Sequence, residues 1–85
     1  MRVRILYFAS LRDALKTASE CVDLPDGIKT AGGLRDWLAA RDDRHAAAFA
    51  PDRPIRMSVA QVMATPDTPL TDDAEVAFFP PVTGG

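Results

Sequence analysis

The segment AEVAFFPPVTGG, residues 74–85, carries the pattern of a strand that ends abruptly at two prolines. β-Branched and aromatic residues follow the turn-like residues 71–73 and predict a strand up to residue 79. Pro80 and Pro81 end this strand, because neither has an N–H group to give to a sheet ladder. Two successive prolines also favour a stiff, extended path, so we expect the chain to leave the sheet here.

Residues 80–85 form the second feature, a tail that can span roughly 20 Å when extended. Its last two residues, Gly84 and Gly85, have no side chains and accept backbone angles closed to other residues. They could therefore pass through a channel that any Cβ would block. We expect a domain over residues 1–79 and a C-terminal tail over residues 80–85, with a carboxylate on Gly85.

Three stretches of the chain resemble the family of small, sulfur-carrier subunits of molybdopterin synthase. They are FFPPVTGG (78–85), VRILYFASLRD (3–13) and PLTD (69–72). The C-terminal octapeptide is the most specific of the three. Related carriers for thiazole synthesis or tRNA thiolation share the Gly-Gly end, but usually lack Phe-Phe-Pro-Pro before it.

The chain departs from the family at three turns. Ala60 follows the central Val59 where the family commonly has Asn. The loop over residues 15–18 and the turn over residues 72–74 lack the Gly that is frequent at each place. We expect these departures to affect local loop geometry and to leave the tail chemistry unchanged.

The hydrophobic pattern predicts an α+β domain. Alternation places Val3, Ile5 and Tyr7 on one face of a first strand. The order of the predicted elements along the chain fits a mixed sheet packed on one main helix. The resemblance implies a β-grasp (ubiquitin-like) fold with four to five strands. We place the first and last strands side by side in the middle as parallel neighbours. Further strands are predicted over 20–24 and 55–60, and residues 61–64 continue the latter or form a fourth strand. The predicted helices are a short one over 10–15 capped by Ser10, a main helix capped by Thr30 with the stripe Leu34, Trp37 and Leu38, and a helical turn over 45–50.

The resemblance implies that this chain is a sulfur donor whose catalytic group is its own Gly85 carboxylate. An ATP-dependent, ubiquitin-activating-like adenylyltransferase would adenylate Gly85 with ATP and Mg²⁺, and a sulfur source of the cysteine desulfurase or rhodanese type would convert it to a thiocarboxylate. The large subunit, in an assembly of two large and two small subunits, would then receive the tail and supply the active-site side chains. Sulfur would pass to a cyclic pyranopterin phosphate to form a dithiolene. The tail segment that enters the channel would be Pro80, Pro81, Val82, Thr83 and Gly84, and the chain itself would bind no cofactor.

Two other functions stay open. One is a ubiquitin-like sulfur carrier of another pathway, such as thiazole synthesis or tRNA thiolation. The other is a protein modifier or interaction module, which would be joined to lysines through isopeptide bonds.

Exposed aromatic residues next to the tail predict a docking surface. Strand alternation puts Phe8 and Phe79 on the face opposite the core, beside each other if their strands are parallel neighbours. Met63 would extend the patch. Grouped apolar side chains beside a functional tail favour partner binding, although an inward turn of Phe8 or Phe79 into the core is the alternative.

Composition excludes several other classes. Eighty-five residues with 47% hydrophobic and 26% charged residues suit one globular domain. A net charge of −2 argues against a nucleic-acid partner, and no apolar run approaches a membrane span. One cysteine and the absence of a signal-peptide pattern suggest a cytoplasmic protein.

Other candidate reactive groups favour structural roles. Cys21 is expected to be a small buried hydrophobe, and His45 a solvated residue at a helix end. The Asp pairs at 42–43 and 72–73 are expected to serve turns and caps. No metal-ligand spacing, phosphate loop or catalytic triad is present in the sequence.

Overall fold

The computed structural model describes residues 1–81. These residues form five strands and three helices in an order close to the predicted one. In chain order the elements are β1 (Arg2–Tyr7), α1 (Ala9–Leu15), β2 (Ser19–Asp23), α2 (Ala31–Ala39), α3 (Asp43–Ala48), β3 (Arg56–Val59), β4 (Val62–Ala64) and β5 (Ala74–Phe79).

The five strands form one mixed sheet in the order β2-β1-β5-β3-β4. Its central pair, β1 and β5, is parallel, with Ile5 opposite Val76 and Tyr7 opposite Phe78. All other neighbours are antiparallel. The predicted side-by-side placement of the first and last strands is therefore confirmed, and the architecture is the β-grasp.

The core lies between one face of this sheet and the helices. It takes every second residue of β1, as the alternation predicts, and the apolar stripe of α2. Three aromatic rings meet at its centre: Phe49 packs edge-on against Phe78 at 5.1 Å between ring centroids and lies 6.1 Å from Tyr7. Trp37 is half-buried and packs against this core, which makes it a border residue of the predicted stripe.

Tyr7 carries the one polar atom of this aromatic centre to the edge of the core. Its hydroxyl donates a 2.8 Å hydrogen bond to Glu20 Oε2 on β2. Glu20 Oε1 accepts a 2.9 Å bond from Arg41, which lies over the Trp37 ring. The pKa of the Tyr7 hydroxyl is raised far above its ordinary value. The main cause is burial, and the hydrogen bond to the Glu20 carboxylate and the negative charge of that carboxylate add to it.

The first turn of α2 is fixed by a cap and by a close backbone contact. Thr30 is the N-cap, and its hydroxyl accepts a 3.1 Å hydrogen bond from the Gly33 N–H, as predicted. Gly32 donates its N–H to the Pro66 carbonyl at 2.9 Å. A Cβ on Gly32 would lie 2.9 Å from both Cβ and O of Pro66, so this position requires glycine for the loop to pass.

The start of α1 differs from the prediction. The helix begins at Ala9, the N-cap position is Phe8, and no side chain caps it, so the prediction of a Ser10 cap is wrong. The reason is the ladder: the Phe8 N–H bonds to the Phe78 carbonyl at 3.1 Å. This bond keeps Phe8 extended beside β5, and the chain turns sharply at Ala9, where φ is 52°.

All three turns that depart from the family contain residues with positive φ. These residues are Lys16 (56°), Ala60 (51°), Gln61 (67°) and Asp73 (63°). A side chain in this left-handed region meets the following carbonyl, which costs roughly 1–2 kcal/mol relative to the right-handed region. The turns therefore keep a left-handed backbone although the residues common in the family are missing there. The residues that replace them carry the backbone strain.

Candidate functional site: the root of the tail and the open sheet face

The root of the tail is held by the central strand of the sheet. Strand β5 ends at Phe79, flanked by β1 on one side and β3 on the other. Pro80 and Pro81 follow outside the strand and are half-buried. The segment that precedes the predicted reactive end is thus anchored by two hydrogen-bonded ladders.

The four residues assigned the most direct roles, Val82, Thr83, Gly84 and Gly85, lie outside the described residues. Their predicted roles in the tail and at the reactive carboxylate stay predictions. What the structure supplies is the position from which they start and the surface beside that position.

The sheet face opposite the helices, called here the open face, carries a largely apolar row across four strands, interrupted by one serine. Leu6 lies opposite Ala77, Ala77 opposite Ser58, and Ser58 opposite Met63. Met63 is 57% exposed, whereas Ala77, on the same face, is buried. This row ends on the short edge strand β4.

Phe8 and Phe79 form the second row of the open face, next to the root of the tail. They follow the last registered pair of the β1–β5 ladder, Tyr7 and Phe78. Phe8 is 44% exposed and Phe79 is half-buried, so neither ring fills the core. The structure therefore puts Phe8 and Phe79 at the same end of the open face; whether they and Met63 bind a partner stays a prediction.

Arg56 is a member of this face that the sequence analysis missed. It lies directly opposite Phe79 in the β3–β5 ladder and is exposed. Alternation alone indicates which face a residue takes, but the neighbour across the ladder depends on the register of two strands. Val59 lies opposite Val76, and this register of β3 against β5 places Arg56 beside Phe79.

Cys21 is exposed, so the prediction of a buried residue is wrong. It lies in the edge strand β2, opposite Arg4 of β1. Since Val22 points into the core, its neighbour Cys21 must take the open face. The alternation of β2 by itself places Cys21 on the open face, but the prediction gave more weight to the apolar character of cysteine.

His45 is also placed differently from the prediction of a solvated residue. Its side chain is only 13% exposed and its ring stacks on Phe49 at 6.4 Å. Asp42 is the N-cap of α3, as the cap role predicted, and accepts 2.8 Å hydrogen bonds from both the backbone N–H and Nδ1 of His45. This double contact and the Phe49 ring draw the imidazole down onto the core.

Neither a metal-ligand cluster nor a membrane-spanning helix is found in the part of the chain that the structure describes. Within residues 1–81, no group of three or more His, Cys, Asp or Glu side chains is arranged to hold a metal ion. In the same range no helix has the length and apolar character that crossing a membrane requires. The root of the tail, held between β1 and β3, and the open face beside it form the candidate functional site.

Comparison with known proteins gives the chain a family. The ThiS family model matches residues 5–85. The molybdopterin synthase sulfur carrier subunit of Escherichia coli is 40% identical over 83 residues, which cover 98% of this chain and 99% of that protein.

Two solved structures share the fold. SAMP1 of Haloferax volcanii has a TM-score of 0.78 at 25% identity, with all of both chains covered. The second structure is one chain of the complex between subunits 1 and 2 of the molybdopterin-converting factor of Helicobacter pylori. It has a TM-score of 0.66 at 19% identity, also with full coverage of both chains. With a family model over nearly the whole chain and a 40% identical curated relative, this protein belongs to the ThiS family of ubiquitin-like β-grasp proteins, in the group of molybdopterin synthase sulfur carrier subunits.

Proposed function

We propose that this chain is the sulfur carrier subunit of a molybdopterin synthase. The observation that carries the proposal is the tail's position: it leaves the central strand beside exposed apolar side chains, in a chain 40% identical to the Escherichia coli carrier subunit. A carrier needs a rigid anchor for its tail and a surface for docking. The ladders of β5 with β1 and β3 support the first, and the exposed apolar side chains of the open face support the second.

The proposed chemistry takes place at Gly85. A carboxylate oxygen attacks the α-phosphorus of ATP in the activating enzyme, and pyrophosphate leaves. A persulfide of the sulfur source then attacks the acyl carbon and AMP leaves, which gives an acyl disulfide. A thiol of the donor or activating protein cleaves the S–S bond, forms a disulfide with the donor cysteine and releases the thiocarboxylate. In the large subunit the thiocarboxylate sulfur attacks a carbon of a cyclic pyranopterin phosphate and displaces an oxygen substituent from it. Hydrolysis of the resulting thioester returns the Gly85 carboxylate and leaves the sulfur on the product, and a second charged carrier supplies the second sulfur of the dithiolene.

The rest of the chain would position this group and exclude water from it. Pro80 and Pro81 restrict the tail before it binds, which reduces the conformational entropy lost on docking. Gly84 would give clearance in the channel, after Val82 and Thr83. ATP, Mg²⁺ and the catalytic side chains would all be held by the partner proteins.

The proposed partners are the large subunit, in an assembly of two large and two small subunits, and an ATP-dependent adenylyltransferase. A cysteine desulfurase or rhodanese-type protein would supply the sulfur. The solved Helicobacter pylori complex of two molybdopterin-converting factor subunits, one sharing this fold, supports pairing with a large subunit. We place this chemistry in the cytoplasm, with residues 1–79 as the docking domain and residues 80–85 as the tail.

The test is a change in tail length. Adding one alanine after Gly85 moves the acyl carbon by ~3.5 Å along an extended chain, so we expect sulfur transfer to be lost while the thermal unfolding curve is unchanged. Adding one alanine before Met1 is the matched control and should leave transfer intact. Intact mass of the protein from its native host should also reveal a thiocarboxylate form. Full transfer by the chain with the C-terminal alanine would refute the proposal.

A protein modifier is the second function that the sequence left open. The fold neighbour SAMP1 of Haloferax volcanii, at 25% identity, bears the name of a modifier, whereas the curated relatives bear that of a sulfur carrier. A modifier would be attached to lysine side chains through Gly85. Isopeptide-linked conjugates in the native host, together with normal molybdopterin synthesis when the gene is deleted, would favour this function over sulfur transfer.

A further inference from the structure

A groove of about 400 Å³ lies beside the root of the tail, where β3 begins and β4 ends. Its apolar wall includes Ile55, Met57 and Met63, and Pro81 lies at its border. The chain therefore passes this groove immediately before its last four residues. We call it the Arg56 groove, since Arg56 lines it as well.

Two arginines give this groove a positive charge. Arg35 of α2 also lines it, and the Arg35 guanidinium is fixed by backbone carbonyls, with Nη2 donating to Ala50 at 2.7 Å and to Arg53 at 2.9 Å. Among residues 1–81 the ion pairs involve other groups, and neither Arg35 nor Arg56 has a carboxylate within 4.0 Å. Asp36 lines the adjoining cavity. In a chain with net charge −2, this is a local positive site that no carboxylate among the described residues pairs with.

We propose that the Arg56 groove binds a segment of the large subunit in which an apolar side chain stands next to a carboxylate. This inference rests on the proposed function, since the large subunit is the protein that would receive the tail. The apolar side chain would lie against Met57 and Ile55, and the carboxylate would face Arg56. Arg35 is already held in place by the carbonyls, so little side-chain entropy is lost when it meets an anion.

The position of Pro81 determines the choice of occupant. A protein that encloses residues 82–85 must come close to Pro81, and Pro81 borders the groove. Charge complementarity then selects the chemistry of the contacting segment, because a basic or purely apolar segment would leave two cations desolvated and unpaired. The groove also continues onto the open face through Met63, so one partner could cover both surfaces.

Methionine methyl NMR can test this directly, because the chain has three methionines: Met1, Met57 and Met63. Met57 points to the core side of the sheet and lines the groove, whereas Met63 is shared with the open face. Met1 precedes β1 at the end of the sheet away from the tail. When purified large subunit is added to the full chain, we expect the Met57 and Met63 signals to shift and the Met1 signal to stay.

A charge reversal gives the second arm. Arg56→Glu should weaken binding to the large subunit about tenfold at low salt and less at high salt, because salt screens the lost attraction. Arg44→Glu is the matched control: it is an exposed arginine on α3 with the same change in charge, and it should alter affinity by less than about twofold. Both variants should unfold at the temperature of the parent chain.

The outcomes separate this inference from the proposed function. If the chain binds the large subunit and transfers sulfur, but Met57 does not shift and Arg56→Glu binds normally, the groove proposal is wrong and the carrier function stands. If the large subunit does not bind at all, both are wrong. Two results obtained without the large subunit would overturn the proposal. A Met57 shift on raising the protein concentration would assign the groove to a second copy of the chain, and a Met57 shift caused by Val82→Ser would assign it to the chain's own tail.

Discussion

Gly32 lies so close to Pro66 that the two residues share a backbone hydrogen bond of 2.9 Å and leave no room for a Cβ. This contact joins the first turn of α2 to the loop that follows β4. The same loop continues to Thr68, whose carbonyl accepts a 2.9 Å bond from the Ala31 N–H. Gly32 lowers the helix propensity of α2, and its close contact with Pro66, which a residue with a Cβ would prevent, compensates for this loss.

We therefore expect Gly32→Ala to destabilise the protein, even though alanine favours helices. The new methyl group would meet backbone atoms of Pro66, and such overpacking costs about 1–3 kcal/mol. Gly27→Ala is the control, since no atom lies within 4 Å of the added Cβ, and its stability should be equal or slightly higher. Thermal unfolding measures both; a Gly32→Ala variant as stable as the parent would contradict the contact.

Lys16→Gly should stabilise the protein. Lys16 is the C-cap residue of α1 with φ of 56°, and glycine adopts this conformation without the penalty of a Cβ. The gain should be up to about 1 kcal/mol, because the greater freedom of glycine in the unfolded chain offsets part of it. Urea unfolding is the measurement. Lys29→Gly, at an exposed position without positive φ, should be destabilising, and equal effects of the two variants would refute the argument.

Alkaline pH should destabilise the protein through Tyr7. Its folded pKa is raised above the unfolded value of 10.0, so the stabilisation is fully present below pH 10 and is lost as pH rises above it. Because Tyr7 is the single tyrosine, the absorbance of tyrosinate reports on it alone and should appear only as the chain unfolds. Tyr7→Phe should remove this part of the pH dependence. Ionisation of Tyr7 near pH 10 in the folded protein would contradict both the burial of its hydroxyl and its hydrogen bond to Glu20.

Phe79→Ala should weaken docking and leave the fold intact. Phe79 is half-buried on the open face, and truncation of an aromatic anchor at an interface often costs at least about 2 kcal/mol, or about thirtyfold in affinity. Val62→Ala is the control, since Val62 is 68% exposed and pairs with Val59, on the other face of the sheet. Calorimetry on the isolated variants and on their complexes with the large subunit distinguishes the two roles. A collapsed unfolding transition with unchanged affinity would make Phe79 a core residue.

Sequence alternation was sufficient for the face of each β1 residue, because one face of that strand is covered and the other is open. It also indicated the Thr30 cap, whose partner, Gly33, is three residues away. Local patterns of this kind are written in consecutive residues, so a single sequence reveals them. The parallel placement of β1 and β5 came with the family resemblance as well as from their apolar content.

The features that the sequence did not reveal depend on distant contacts. His45 is drawn onto the core by a ring four residues later and by the packing of that ring on Tyr7 and Phe78. Arg56 acquires its place beside Phe79 from the register of two strands separated by the β4 hairpin and the 65–73 loop. Neither position follows from local periodicity, because each is set by residues that meet only in the folded chain.

The anchoring of β5 between two strands also has a mechanical consequence. A force that pulls on the tail acts along β5, and the hydrogen bonds to β1 and β3 lie across that direction. These bonds would be loaded in shear, together, instead of opening one after another from the end. When a partner that binds the tail dissociates, the domain that carries the tail can therefore stay folded under the force on β5.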